Sequence, residues 1–135
     1  MAETAIVTPH AEPSRVLGVH GGDGVLKWRR LATGSHLWSD WDGFEWVALV
    51  PGAEAGMHRH VHTEELFYFL RGAGVVTLDG EKFEVAPGDV VLTPVMSRHA
   101  VANTGDTDLE YIVIEVFPPA ISGALPPRRP TEEGT

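Results

Sequence analysis

Three histidines alternate with other residues in the middle of the chain, and two glutamates follow them directly. They are His58, His60 and His62, followed by Glu64 and Glu65. Side chains of an extended strand alternate between its two faces, so residues two positions apart share a face. Imidazole and carboxylate groups on one face are suitable ligands for a divalent first-row transition metal. The spacing therefore indicates a metal site in preference to three isolated surface histidines.

The segment around these residues resembles the first signature of the cupin superfamily. That signature is G-x5-H-x-H-x4-E-x6-G, and its fixed positions are filled by Gly52, His58, His60, Glu65 and Gly72. A glycine therefore brackets each end of the histidine and glutamate cluster.

A second segment, GDVVLTPVMSRHAVAN, resembles the second cupin signature, G-x5-P-x-G-x2-H-x3-N. Gly88, Pro94, His99 and Asn103 fill its fixed positions, and Met96 stands where the signature has its second glycine. This departure concerns the turn before His99. Because both signatures occur in order and close together, the chain is identified as a member of the cupin superfamily, in its small single-domain bacterial form.

The resemblance implies an all-β fold, a single cupin jelly-roll β-barrel in which the two signatures converge. It also implies one divalent ion, with zinc, iron, manganese, nickel and cobalt all admissible, held by four ligands: His58, His60, Glu65 and His99. Glu64 has the opposite strand parity to Glu65 and is expected to face away. His62 shares the parity of His58 and His60, and it can be a further ligand, a proton carrier or an exposed turn residue.

Short apolar segments separated by Gly, Pro and Asp turns independently predict an all-β barrel or sandwich. We expect a barrel domain over residues 15–117, a flexible N-terminal arm over residues 1–14 and a flexible Pro-rich tail over residues 118–135. Residues 15–20 are expected to form a strand, and residues 39–43 a turn.

Strand parity also predicts which side chains of one segment are buried. If Glu65 points inward, so do Phe67 and Phe69, while Tyr68 points outward. Asp79-Gly80 predicts a tight hairpin turn.

Composition limits the classes of partner. The 135 residues carry a formal net charge of −9 and no cysteine. The acidic surplus argues against a nucleic-acid partner, and the absence of cysteine removes disulfides and thiolate metal ligands. No apolar run is long enough to span a bilayer, and no signal-peptide core is present. We therefore expect no membrane association and a cytoplasmic location.

Cupins with this ligand set include dioxygenases, isomerases, lyases, polyketide cyclases and proteins that only bind a small molecule, so the fold does not decide the function. Similarity to bacterial monocupins of secondary metabolism, polyketide cyclases among them, favours Lewis-acid chemistry on a small organic substrate. In that case His62 and Glu64 are the candidate catalytic proton carriers. A mononuclear iron or manganese dioxygenase and a non-catalytic small-molecule-binding protein are the alternatives.

The expected partner, besides a small-molecule substrate, is a second copy of this chain. A small jelly-roll leaves sheet edges that need cover, and related cupins commonly assemble as homodimers. The predicted strand around Arg15 to Val19 is the candidate for pairing with a partner's sheet.

Overall fold

The computed structural model describes residues 12–126. Residues 1–11 of the expected arm and residues 127–135 of the expected tail lie outside the described residues. The described part forms ten strands and one short α-helix: β1 (Ser14–Leu17), β2 (Val25–Thr33), β3 (Trp41–Leu49), β4 (Glu54–Arg59), β5 (Glu64–Arg71), β6 (Gly74–Leu78), β7 (Glu81–Val85), β8 (Val90–Thr93), β9 (Arg98–Asn103), β10 (Leu109–Val116) and α1 (Pro119–Ser122). Among the described residues, no helix has the length and apolar character needed to cross a bilayer.

The strands form two antiparallel sheets, which confirms the expected all-β class. The larger sheet has the order β1-β2-β3-β10-β5-β8, and the smaller has the order β4-β9-β6-β7. Asp79 and Gly80 both adopt positive φ, 47° and 88°, between the paired strands β6 and β7. This is the two-residue hairpin turn that the Asp-Gly pair predicted.

Side-chain parity in β5 is as predicted. Phe67 and Phe69 are buried at 3% and 0% exposure, whereas Tyr68 between them is 43% exposed. The inward phenylalanines join an apolar core between the sheets, whose largest fully buried hydrophobic members are Phe69, Leu49, Leu109, Val76 and Val101. Fully burying side chains of this kind contributes about 1.5–3 kcal/mol each.

The register of the larger sheet separates this apolar core from a polar end. Leu109 of β10 lies opposite Leu49 of β3, at the apolar end. At the other end of the same strand, Glu115 lies opposite Glu65 of β5. The sheet therefore places the paired carboxylates Glu65 and Glu115 at the end next to the first signature, away from the apolar end.

Two local predictions need correction. Residues 39–43 were expected to be a turn, but β3 already begins at Trp41, because Trp41 and Gly43 pair with the end of β10. The strand expected over residues 15–20 ends at Leu17, and a single 3-10 turn, Val19–Gly21, follows. In both cases the strand boundary depends on pairing with another strand. That partner strand cannot be recognised from the local sequence.

Candidate metal centre

The four ligands implied by the two signatures converge at the polar end of the sheets. His58 of β4 and His99 of β9 are direct partners across that strand pair. His60 follows the end of β4, and Glu65 lies near the start of β5. One nitrogen or oxygen atom from each of the four residues lies within 4.8 Å of those from the other three. Segments about forty residues apart are thus brought to one point.

The atoms at this point are buried and lack ordinary hydrogen-bond partners. His60 Nε2 lies 2.5 Å, and His99 Nε2 lies 3.3 Å, from Oε1 of Glu65. Within residues 12–126, none of these three atoms makes a contact with hydrogen-bond geometry. An unsatisfied buried polar atom costs about 1–3 kcal/mol. Three imidazoles and one carboxylate crowded in this way fit a divalent transition metal, which would use the lone pairs that the protein leaves unpaired.

The charge states of Glu65 and His58 agree with this fit, whereas His60 has to release the proton that its contact with Glu65 favours. Burial raises the pKa of Glu65, but the adjacent imidazoles of His60 and His99 outweigh burial and hold that pKa at about 2. Burial lowers the pKa of His58 to about 4, so its ring is neutral at neutral pH. The contact with Glu65 raises the pKa of His60. An ionised carboxylate and a neutral imidazole are the forms that bind a metal.

His58 is oriented by its own backbone. Its Nδ1 lies 2.7 Å from the carbonyl oxygen of Gly56. With Nδ1–H donating to that carbonyl, the lone pair is on Nε2, which is then the nitrogen available to a metal. Such a hydrogen bond to the second ring nitrogen fixes the tautomer and the ring direction of a metal-binding histidine.

Met96 adopts the conformation for which the second signature has a glycine. Its φ is 72°, in the left-handed region that costs a non-glycine residue about 1–2 kcal/mol. Its backbone N–H donates to the carbonyl oxygen of His60 at 2.8 Å, and the Ser97 N–H donates to the Pro94 carbonyl at 3.0 Å. The turn before His99 therefore keeps its shape despite the substitution, and it ties the second signature to the first.

The two candidate proton carriers lie elsewhere. His62 is exposed in the turn between β4 and β5, and Glu64 is half-buried at the start of β5. Within the described part of the chain, neither belongs to the ligand cluster or to the lining of the adjacent cavity. The parity argument for His62 does not apply because β4 ends at Arg59 and the chain turns. Catalytic roles for His62 and Glu64 stay predictions.

A cavity of about 260 Å³ opens beside the cluster. His58, His60 and Glu65 contribute to its lining at one side. The remaining walls are mostly apolar and include the aliphatic side chains Val16, Val19, Leu26, Val47, Val101 and Val113 and the aromatic side chains Trp28, Phe67 and Tyr111. Burial raises the pKa of Tyr111, so the phenol keeps its proton at neutral pH.

Two further carboxylates line this cavity and were missed by sequence reasoning. Glu45 is buried, and it accepts hydrogen bonds from Trp28 Nε1 at 2.9 Å and Arg30 Nη2 at 2.7 Å. Burial, followed by the charges of Glu65 and Glu45, raises the pKa of Glu115 to about 7. The local signal was a glutamate at the strand parity of apolar residues, Glu45 with Val47 and Glu115 with Val113, but it does not show that this face lines the site.

His20 is a third residue that neither signature contains. Its ring stacks on His58, with ring centroids 3.7 Å apart and planes 14° apart, and it lines the cavity. Burial lowers its pKa. Its φ of 52° belongs to the turn after β1, where Gly22 packs directly on β4. Only the close approach of that turn to β4 reveals His20 as part of the site.

Comparison with known proteins gives a consistent result. Residues 45–115 match the family model described as a cupin domain. The oxalate-binding protein of Thermotoga maritima is 31% identical over 105 residues, which are 78% of this chain and 87% of the relative. The crystal structure of a predicted oxalate decarboxylase from Thermotoga maritima has a TM-score of 0.80 and 29% identity, and the match covers 84% of this chain and 100% of that one.

Two shorter similarities concern proteins with other names. Polyketide synthase CurC of Streptomyces cyaneus is 32% identical over 71 residues, covering 52% of this chain and 46% of the relative. A 5-nitrosalicylic acid 1,2-dioxygenase of a Bradyrhizobium species is 36% identical over 64 residues, covering 47% of this chain and 30% of the relative. The chain thus spans less than half of either protein. Since the family match covers more than half of this chain and the fold agrees, the chain belongs to the cupin family, as its two signatures predicted.

Proposed function

We propose that this cupin is a metal-dependent enzyme that acts on a small organic molecule by Lewis-acid chemistry of the cyclase or isomerase kind. The observation that carries the proposal is the group of buried, unpaired ligand atoms of His60, Glu65 and His99 beside a cavity with mostly apolar walls. A structural polar cluster would satisfy these atoms internally. Here they are left available to an ion and, through it, to a ligand in the cavity.

The chemistry that such an ion supplies when bound is polarisation of a carbonyl or enol oxygen. His58, His60, Glu65 and His99 would hold it, and the hydrogen bond from His58 to the Gly56 carbonyl keeps that ring in position. The apolar walls would displace water from the part of a ligand that they contact. Glu115 lies beside Glu65 in the sheet register and can exchange a proton with a ligand through its carboxyl oxygens.

The similarity to polyketide synthase CurC supports the cyclase-like branch and a place in bacterial secondary metabolism. We also propose the cytoplasmic location that was expected from the sequence. The candidate ions remain zinc, iron, manganese, nickel and cobalt, because the donor set accepts all of them.

A mononuclear iron or manganese dioxygenase is the second candidate, supported by the similarity to the 5-nitrosalicylic acid dioxygenase. A non-catalytic small-molecule-binding cupin is the third, supported by the name of the Thermotoga maritima relative. All three functions share the metal site and differ in what happens to the ligand.

Metal analysis of the purified full chain tests the shared site. The His58→Ala and His99→Ala proteins are expected to lose most of the bound metal, since the remaining groups no longer close the coordination sphere. His36→Ala, which changes an exposed histidine remote from the cluster in sequence, is the matched control and is expected to retain it. Full stoichiometric metal in both ligand variants refutes the assignment.

Oxygen dependence then separates the two enzymatic branches. Turnover of a candidate substrate at an unchanged rate under strict anaerobiosis supports the Lewis-acid branch and refutes the dioxygenase. Oxygen uptake that tracks product formation refutes the Lewis-acid branch. Ligand binding by a metal-loaded protein that turns over none of the candidates supports the binding protein.

A further inference from the structure

The inner face of the larger sheet changes from acidic to apolar along its strands, beginning at the metal ligands. Glu65 and Glu115 are partners across β5 and β10. Two residues further along, Val113 of β10 lies between Phe67 and Glu45. Beyond these, the facing positions are occupied by aromatic and aliphatic side chains. A ligand bound at the metal would therefore have carboxylates close to the ion and apolar walls beyond.

Arg30 and a bound divalent ion would together balance the carboxylates around the metal site. Glu45, Glu65 and Glu115 supply three carboxylates to the cavity lining. Arg30 is held 2.7 Å from Glu45, and its guanidinium lies over Gly43, where any Cβ would come within 3.2 Å of it. One positive charge from Arg30 and two from a divalent ion offset the three carboxylates when all are ionised. A ligand that brings further negative charge adds an unpaired charge to a partly buried site, which is unfavourable.

The apolar walls set a second requirement. The cavity of about 260 Å³ is slightly smaller than the 300–1,000 Å³ typical of sites for drug-sized ligands. Trp28 directs its only polar atom, Nε1, to Glu45, so its ring presents carbon to its surroundings. A ligand gains affinity from these walls only if it has apolar surface of its own to bury.

We propose that this cavity selects a ligand that is uncharged in solution, with a metal-binding oxygen at one end and an apolar body about the size of one aromatic ring. The same arrangement disfavours small dicarboxylates, which carry two negative charges and almost no apolar surface. The inference rests on the proposed metal site, and it assigns Glu45 and Glu115 as residues that determine specificity.

Calorimetric titration of the zinc-reconstituted full chain with three probes tests this selectivity. Acetohydroxamate and benzohydroxamate share one metal-binding group and differ by a ring, and oxalate is a small dianion. Benzohydroxamate is expected to bind at least about tenfold more tightly than acetohydroxamate, because the ring buries several more carbons. Oxalate is expected to bind at least about tenfold more weakly than benzohydroxamate.

The Glu115→Gln variant tests the charge part of the argument. Its ratio of oxalate to benzohydroxamate affinity is expected to rise about tenfold over wild type, because one repelling carboxylate is removed. Glu84→Gln, a change of the same kind at an exposed position of β7, is the matched control and leaves the ratio unchanged. Because the two affinities are compared as a ratio, a partial loss of folded protein cannot produce the expected change. The comparison of the three probes on the wild-type protein does not depend on any variant.

The outcomes separate this inference from the proposed function. A zinc-loaded wild type that binds oxalate more tightly than benzohydroxamate, or gains nothing from the ring, overturns the selectivity and leaves the metal site standing. An unchanged ratio in Glu115→Gln overturns the role of that carboxylate. A chain that takes up no zinc after reconstitution refutes the metal-dependent function and, with it, the selectivity that rests on it.

Discussion

Replacing Gly22 by alanine is expected to disturb the turn that carries His20. A Cβ at Gly22 would lie 2.0 Å from the carbonyl oxygen of Glu54 and 2.7 Å from the backbone nitrogen of Gly56. The close approach is reciprocal, since a Cβ at Gly56 would lie 2.2 Å from the carbonyl oxygen of His20. Both obstacles are backbone atoms of a strand or turn and cannot rotate away. The turn would therefore have to move off β4 by more than about an ångström, given ordinary carbon–oxygen contacts above 3 Å.

The cost can be bounded from these contacts. Overpacking of this kind typically lowers the free energy of unfolding by about 1–3 kcal/mol, which for a chain of this size corresponds to a fall in Tm of several degrees. No backbone strain contributes, because the φ of Gly22 is −78°, a value that alanine adopts freely. The expected loss is thus entirely steric, and it is accompanied by displacement of the His20 ring from His58.

Chemical denaturation measures the loss of stability, and histidine ring chemical shifts in NMR spectra measure the displacement of the His20 ring. Gly105→Ala is the matched control, because its added Cβ would meet only ordinary contacts, the nearest at 3.5 Å. It is expected to change the free energy of unfolding by less than about 0.5 kcal/mol. A Gly22→Ala protein with the stability of wild type and unchanged His20 and His58 resonances would show that the turn does not rest on β4 in this way.

Three further predictions concern the core, the outer histidine and the assembly. Phe69→Ala is expected to lower the free energy of unfolding by about 3–5 kcal/mol and Tyr68→Ala by much less, since only Phe69 is fully buried; equal losses in a denaturation series would contradict the assigned parity. His62→Ala is expected to keep its full metal content, because the exposed ring is outside the ligand cluster; loss of metal by elemental analysis would restore it as a ligand. Light scattering at micromolar concentration is expected to give twice the 14.6 kDa chain mass, with the exposed edge strand β1 in the contact; a monomer mass would end the homodimer proposal.

The sequence predicted the ligand cluster because its spacing is a local property. His58, His60 and Glu65 lie within eight residues at the spacing of the first signature. The second signature identifies His99 in the same way, by its spacing from nearby residues. Alternation in β5 then placed Phe67 and Phe69 correctly from one reference residue. Short-range regularities of this type need no knowledge of the partner strands.

His20, Glu45 and Glu115 were beyond the same reasoning for a physical reason. His20 reaches the site through a turn whose position depends on two glycines, Gly22 and Gly56, that pack against each other's segments from distant parts of the chain. Glu45 and Glu115 become site residues only when the register across β3, β10 and β5 is known. Strand pairing of this range is a tertiary property, and a shift of one residue would have turned each carboxylate to the opposite face.

This division between local and long-range determinants bears on the function. The ligand set is shared by cupins whose chemistries differ, so the ion alone does not define the reaction. Cupins with different chemistries can instead differ in the side chains that line the cavity. In this chain β2, β3 and β10, which lie outside the two signatures, supply much of that lining. In this chain that lining places Glu115 beside Glu65, and it holds Arg30 against Glu45. Charged side chains next to the proposed metal site and carbon surface beyond it are properties of these strands, so substitutions on them are expected to alter ligand choice while the metal content stays constant.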